Sequence, residues 1–217
     1  MSEPLQQFLE KVWAAREDEI YPQLFGPITQ VPHTLSEDLF RRIGVEQIEP
    51  FWLTHSVLES PPTASRPHWV YVTSSLSNPW GEGPAANEEA LSGLGFEFVM
   101  HTPQQSPWAI RTLQWLMAMQ ILVASGIVEG QLLEADDRVP LGMPIDGRQS
   151  SLNSLVVATH DPPGFRLASG HVDLLLLLGV TQREYELAGT QGTPALLRLL
   201  THHEIAPLTD PSRLSTV

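Results

Sequence analysis

The sequence predicts an α/β fold of the α+β type, in which helices cover a mixed β-sheet. Three observations lead to this prediction: strand-like and helix-like segments alternate along the chain, 42% of its 217 residues are hydrophobic, and 17% are charged. A chain of this length and composition can bury a sizeable core. We expect a single domain over residues 1–217, with a helical segment at residues 1–45 packed on it and a tail at residues 205–217.

Spacing and capping signals define the elements of the first half. A helix is predicted where apolar residues recur every three or four positions, a strand where β-branched and aromatic residues dominate, and a connector where prolines cluster. These criteria give a helix at residues 5–20, a connector at 21–34, a short helix capped by Ser36, and strands at 48–58, 68–76 and 94–101. The strongest helix begins at Pro107, with Ser106 placed to cap it and Gly126 placed to end it. Its residues are apolar nearly all round, so we expect it to be buried between layers.

The second half predicts two buried strands and two further helices. Residues 152–159 and 172–180 lack polar alternation, which indicates strands that are covered on both faces. The prolines of residues 161–164 predict a turn at the end of the first of these strands. Thr181 and Glu184 form the pattern of a capping box, which begins one helix, and a Thr-Pro pair begins the other.

The net charge is −13, and acidic residues are concentrated in one segment. Residues 67–137 contain a single basic residue, Arg111, and eight acidic residues, which gives this segment a net charge of −7. Such a field opposes binding to the phosphate backbone of nucleic acids and attracts basic proteins. We therefore expect no nucleic-acid partner.

Composition also limits the compartment and the chemistry. The chain has no cysteine, which excludes disulfides, thiolate metal sites and a cysteine nucleophile. The N-terminus lacks the basic region and apolar core of a signal peptide, and no apolar run approaches the roughly 20 residues that span a bilayer. We expect a cytoplasmic protein with no membrane association and no cofactor.

Histidines provide the patterns that point most directly to catalysis or metal binding. His171 and Asp173 lie on one face of a predicted strand, as an acid–base pair would, but the Gly-x-Ser-x-Gly turn of a nucleophile is absent. His160 adjoins a proline turn. His202 and His203 are adjacent on a helix and therefore cannot easily share an ion, so we expect no metal site there. A hydrolase that uses His171, Asp173 or His160 remains the alternative function.

An ordered set of segments resembles the suppressor-of-fused domain. Residues 67–100 contain an aromatic strand, a Leu-Ser-Asn turn, an acidic loop with prolines and glycines, and a strand that opens with Ser-Gly-Leu-Gly-Phe-Glu-Phe. Further similar segments follow in the same order at residues 106–108, 144–152, 178–184, 192–197 and 208–213. No single segment is specific, but their order is similar to that family over much of the chain.

The resemblance implies an α/β fold and a binding role. Animal members of the family sequester zinc-finger transcription factors by holding an extended peptide as an added β-strand between this domain and a second one. Carried over to this chain, Tyr71 and Glu82 would contact the partner. Ser75 and Asn78 stand where the family's turn has Gly and Asp, and the sequence contains one such domain, so the transcription-factor partner is not transferred.

We therefore expect a non-catalytic protein-binding module. Single domains of this kind in bacteria are associated with immunity proteins that neutralise polymorphic toxins, and a basic toxin would suit the acidic segment. The residues expected to contact such a partner are Tyr71, Trp80, Glu82, Glu88, Glu89 and Glu97. Besides the hydrolase, a structural protein that associates with itself through exposed sheet edges remains open.

Overall fold

A mixed β-sheet with helices on both faces forms the protein, as predicted. The computed structural model describes residues 3–29, 31–79 and 90–217. Within these residues the strands are β1 (His33–Thr34), β2 (Ser56–Ser60), β3 (Trp69–Ser74), β4 (Leu91–Thr102), β5 (Arg138–Pro140), β6 (Leu152–Leu167) and β7 (Gly170–Thr181). The helices are α1 (Glu3–Ala14), α2 (Tyr21–Phe25), α3 (Glu37–Arg42), α4 (Pro107–Ala124), α5 (Gln182–Gln191) and α6 (Thr193–His202). None of these helices combines the length and the apolar character that crossing a bilayer requires.

The strands are ordered β1-β2-β3-β4-β7-β6-β5 across the sheet. The two central strands, β4 and β7, run parallel, with Phe98 opposite Leu175. Every other neighbouring pair is antiparallel. Sequence spacing did not reveal β1 or β5, because each is too short to show alternation.

Each face of the sheet packs against a different set of helices. Tyr71, Phe98 and Leu177 point to one face and join the core that contains the apolar residues of α4. The other face packs against α2 near β2 and β3, and against α5 and α6 near β6 and β7. The side chains alternate between the two faces because successive residues of a strand point in opposite directions. One part of the prediction was wrong: α4 is an outer layer, since Arg111 is exposed to solvent.

The first helical stretch extends beyond the helix predicted at residues 5–20. A π-helical turn (Ala15–Ile20) follows α1 and continues directly into α2, so the segment runs from Glu3 to Phe25. The prediction of a connector from residue 21 was therefore wrong for α2. Pro22 lies where the π-helical turn passes into α2, and Tyr21 and Phe25 bury their rings in the core.

Two other boundaries differ from the prediction. Pro50–Thr54 forms a 3₁₀ helix, and the strand predicted at residues 48–58 begins only at Ser56. The aromatic signal there came from Trp52, which belongs to the 3₁₀ helix and is buried. Residues 161–164 do not end a strand but remain within β6, where the pairing with β7 shifts between Thr159 and Gly164.

The capping predictions are confirmed in two of three places. Ser36 accepts a hydrogen bond from the backbone N–H of Leu39 (3.3 Å), and Thr181 and Glu184 form the complete capping box of α5. Ser106 precedes α4 but does not cap it, because its hydroxyl donates to the carbonyl of Gln104 (2.7 Å) instead.

Candidate functional site

Residues 80–89 of the predicted acidic loop lie outside the described part of the chain. Four of the predicted contact residues fall there: Trp80, Glu82, Glu88 and Glu89. The structure describes both ends of the loop, residues 74–79 and residues 90–95. We call these two stretches the loop base, and they show how the fold holds the loop.

Backbone and hydroxyl groups join the two halves of the loop base. The N–H of Leu94 donates to the carbonyl of Leu76 (2.8 Å), and the hydroxyl of Ser92 donates to the carbonyl of Ser77 (2.6 Å). Ser92 is fully buried, so its bond is shielded from water. The two halves of the loop base are therefore fixed to one another.

Two glycines allow the close contacts of the loop base. Gly93 has φ +60°, and a Cβ there would lie 2.2 Å from the carbonyl oxygen of Asn78. Gly170 has φ +138°, and a Cβ there would lie 2.3 Å from the carbonyl oxygen of Ala90, while the next residue, His171, donates its N–H to that same oxygen (2.7 Å). Larger residues would separate the turn, β4 and β7 at this point.

Glu97 holds the turn at residues 74–78 in place through hydrogen bonds to its carboxylate. Its carboxylate accepts hydrogen bonds from the N–H of Ser75 (3.0 Å), the N–H of Ser77 (2.9 Å), the hydroxyl of Ser77 (2.7 Å) and the hydroxyl of Thr73 (2.6 Å). The side chain is completely buried. In this structure Glu97, one of the predicted contact residues, thus binds the protein's own turn.

Arg16 supplies the opposite charge, and sequence reasoning gave it no role. Its guanidinium donates to Ser74 (2.8 Å), Ser77 (3.0 Å) and Asn78 (2.8 Å) and lies 4.0 Å from the carboxylate of Glu97. The signal was present in the sequence, because Arg16 falls on the apolar side of the N-terminal helix. Its side chain is fully buried there.

Tyr71, another predicted contact residue, is also internal. Its hydroxyl accepts a hydrogen bond from the N–H of Ser106 (2.6 Å), which fixes the start of α4 against β3. Burial raises the pKa of the phenol to about 12, and the nearby Glu59 carboxylate adds to this shift. The phenol therefore stays neutral and acts as an acceptor that positions α4.

An open groove lies beside the loop base. It has a volume of about 500 Å³ and is bounded by the start of β4, the start of β7 and residues 132–135. Its lining includes Leu91, Leu94, Leu133, Glu134 and Asp173, and none of its described lining residues is Lys or Arg. Leu91 is 61% exposed. We call this feature the acidic groove, because its apolar walls carry two carboxylates, those of Glu134 and Asp173, and no Lys or Arg.

The histidines of the hydrolase alternative lie in two separate clusters. Nε2 of His171 is bonded to Asp173 (2.8 Å) at the surface, and no described hydroxyl is bonded to that imidazole. His160 instead lies against His101, with their Nε2 atoms 3.1 Å apart, and its Nδ1 contacts the carbonyl of Pro162. Among residues 3–29, 31–79 and 90–217, no group of three or more His, Asp or Glu side chains is arranged to hold a metal.

Comparison with known proteins identifies one sequence family. The family model described as Suppressor of fused protein (SUFU) matches residues 52–214 of this chain. The match includes β2 to β7, α4 to α6, both halves of the loop base and the acidic groove. No sequence among the curated proteins matches the chain.

Solved structures share the fold at low sequence identity. A chain of the Sufu–Fu complex gives a TM-score of 0.61 at 21% identity, over 98% of this chain and 91% of that one. A putative SUFU homolog from Neisseria gonorrhoeae FA 1090 gives 0.63 at 20% identity, over 98% of both chains. Drosophila Suppressor of Fused gives 0.58 at 22% identity and covers 74% of this chain, which spans 42% of the Drosophila protein.

Proposed function

Because the chain belongs to the suppressor of fused protein family, whose domain is a protein-interaction module, we propose that it is a non-catalytic protein that captures another polypeptide. The observation that carries this proposal is the match over residues 52–214, which spans most of the sheet and the loop base. The binding surface would comprise the acidic loop and the acidic groove beside it.

The geometry of the loop base supports a binding role for the loop. The turn at residues 74–78 is held by two fully buried charges, Arg16 and Glu97, and by the contacts with β4. A rigid base lowers the entropy that a loop loses when a partner binds. Tyr71 and Glu97 would act in this proposal by holding β3, β4 and the turn in place, whereas Trp80, Glu82, Glu88 and Glu89 would contact the partner.

Charge determines the class of partner that we propose. The groove presents Glu134 and Asp173 on apolar walls, and the acidic loop contains three more glutamates. A basic protein would be attracted to this surface, and many nuclease toxins are basic. We therefore propose an immunity protein that neutralises a basic toxin in the cytoplasm. Electrostatic attraction of this kind mainly raises the association rate and the selectivity.

The test pairs the chain with a toxin domain encoded beside its gene. Co-expression should restore growth of cells that produce the toxin, and the purified proteins should form a complex. Charge reversal in the loop (Glu82→Lys with Glu88→Lys) or in the groove (Glu134→Lys with Asp173→Lys) should lower the association rate roughly tenfold at low salt. The matched control reverses Glu186 and Glu204, two exposed acids outside the acidic groove.

Two results would separate the parts of this proposal. Equal loss in the control pair would mean that total charge, and not this surface, governs association. If the neighbouring toxin domain does not bind and its toxicity persists, the toxin-neutralising role fails. Turnover of a substrate that is abolished by His171→Ala would instead favour the hydrolase alternative.

A further inference from the structure

The outer side of α4 forms one wall of a second groove. Trp108, Arg111 and Trp115 recur at helical spacing, so they lie along one stripe of the helix. Arg42 of α3 and residues 141–147 complete the walls, and the volume is about 500 Å³. We call this feature the tryptophan groove. It shares no lining residue with the acidic groove.

The residue types of the tryptophan groove are those that anchor protein partners. Tryptophan, methionine and arginine are enriched at interfaces, and tryptophan and arginine contribute most often to hot spots. Met143 is 61% exposed, whereas Trp108 is 8% exposed at the bottom of the groove. An apolar side chain that entered the groove would therefore be covered on several sides.

The charge of the tryptophan groove is opposite to that of the chain. Its lining contains Arg42 and Arg111 and no acidic residue. Arg42 is paired with Asp38 (2.5 Å), but the side chain of Arg111 has no ion pair or hydrogen bond with any described residue. The Arg111 guanidinium would therefore favour binding of a carboxylate of another molecule, although the net charge of the chain is −13.

The wall opposite α4 is preformed. The N–H of Ile145 donates to the carbonyl of Leu152 (2.8 Å), which ties this wall to β6. The Asp146 carboxylate accepts hydrogen bonds from the N–H groups of Arg148 (2.9 Å) and Ser150 (3.1 Å), and these bonds lower the pKa of Asp146. A partner would thus meet a groove that needs little rearrangement.

We propose that the tryptophan groove binds a short acidic segment of a second protein. An apolar side chain of that segment would pack against Trp108 and Trp115, and a flanking carboxylate would pair with Arg111. This site is separate from the acidic surface assigned above and selects the opposite charge, so one chain could hold two different polypeptides. The inference does not depend on the toxin proposal.

We would test this proposal with a display library of random peptides. The peptides are about ten residues long, so that each can lie along the groove as a short recognition segment. The full chain serves as bait, and captured clones are compared with those captured by Arg111→Glu. Because the acidic surface elsewhere will capture basic clones, only clones whose capture falls with Arg111→Glu are assigned to the tryptophan groove. These clones should be acidic and carry an aromatic or aliphatic residue, with binding weakened roughly tenfold or more by the substitution.

Matched variants make the result decisive. Met143→Glu should weaken binding of the same clones, because it repels their carboxylates, while Met143→Lys should leave their binding intact. Met143 is exposed, so both substitutions leave the core unchanged. Arg198→Glu carries the same charge change on α6, on the opposite face of the sheet, and should have no effect. The proposal is overturned if no clone responds to Arg111→Glu, if the responding clones are basic or neutral, or if Arg198→Glu acts equally.

Discussion

The guanidinium of Arg16 lies 4.0 Å from the carboxylate of Glu97, and neither side chain is exposed to solvent. Arg16 belongs to the π-helical turn and Glu97 to β4, so the pair joins the N-terminal helical segment to the centre of the sheet. The hydroxyl and amide groups of residues 73–78 bond to both ions. These hydrogen bonds offset the cost of removing two charges from water.

Removal of Arg16 should destabilise the protein strongly. In Arg16→Met, Glu97 keeps its burial but loses its counter-ion, and breaking a buried pair in this way costs about 3–5 kcal/mol. Urea denaturation followed by circular dichroism measures the loss. Lys11→Met, an exposed cation on the same helical segment, should change stability by less than about 0.5 kcal/mol. A similar small effect for Arg16→Met would mean that the pair contributes little.

Ser75→Gly should stabilise the protein. Ser75 has φ +98°, a conformation that strains residues with a Cβ, and its hydroxyl lies as far as 3.5 Å from its partners, Arg16 and Thr54. Relief of the strain should raise the free energy of unfolding by about 1 kcal/mol. The positive φ of Ser75 also explains why the resemblance predicts Gly at this position.

Ser77→Gly is the control for this change in the same turn. Its hydroxyl donates to Glu97 (2.7 Å) and accepts from Arg16 (3.0 Å), so the substitution should lower the free energy of unfolding. Equal effects of the two substitutions on the denaturation midpoint would show that backbone strain at Ser75 is not the cause.

Stability should decrease as the pH falls below about 6.5, the ordinary pKa of histidine. Nε2 of His68 contacts Nδ1 of His101 (2.8 Å), and His101 contacts His160, while Arg66 faces the first two and Asp161 the third. Burial lowers the pKa of all three histidines, and for His101 burial together with the neighbouring histidines and Arg66 lowers the pKa to about 3.

The direction follows from proton uptake on unfolding. Between pH 6.5 and about pH 3, His101 is protonated in the unfolded state but neutral in the folded state. His101 alone should therefore lower the free energy of unfolding by about 1.4 kcal/mol for each unit by which the pH falls. Denaturation curves between pH 7 and pH 5 measure the slope, above the range where lowered carboxyl pKa values contribute. His101→Gln should make the slope shallower, while His68 and His160, whose pKa values are also lowered, continue to contribute. An unchanged slope in that variant would exclude His101 as the source.

The C-terminal tail should detach when its ion pair is removed. Arg213 donates twice to the buried Glu184 carboxylate (2.7 Å each), which also accepts from Thr216 (3.0 Å). In Arg213→Ala, residues 205–217 should exchange their amide hydrogens faster, with a loss of about 3 kcal/mol in stability. Arg183→Ala, an exposed arginine on α5, should leave exchange unchanged. Unaltered protection of the tail in Arg213→Ala would contradict this assignment.

Elements with strong local signals were predictable from the sequence. The capping box of Thr181 and Glu184 was recognised because both residues lie within one turn, and α4 because Pro107 and Gly126 mark its ends. The strand predicted at residues 48–58 was partly wrong because a buried aromatic residue such as Trp52 looks the same on a 3₁₀ helix as on a strand.

The interior of the candidate site could not be predicted in the same way. The resemblance located the acidic loop and implied a role for Tyr71, and Glu97 was among the expected contact residues, but the burial of both depends on contacts with residues far away in the sequence. Arg16 reaches the turn only because the π-helical segment packs against the sheet. The tryptophan groove likewise forms only where α3, α4 and residues 141–147 pack together, and no local sequence pattern specifies that packing.

The parallel pairing of β4 with β7 has a consequence for biosynthesis. As the ribosome releases the chain, β4 emerges well before β7, with one hydrogen-bonding edge unfilled. That edge can close only after β7 is released, so assembly of the middle of the sheet waits until most of the polypeptide is available. Until then β4 exposes an unpaired strand edge of the kind that makes incomplete chains prone to aggregation.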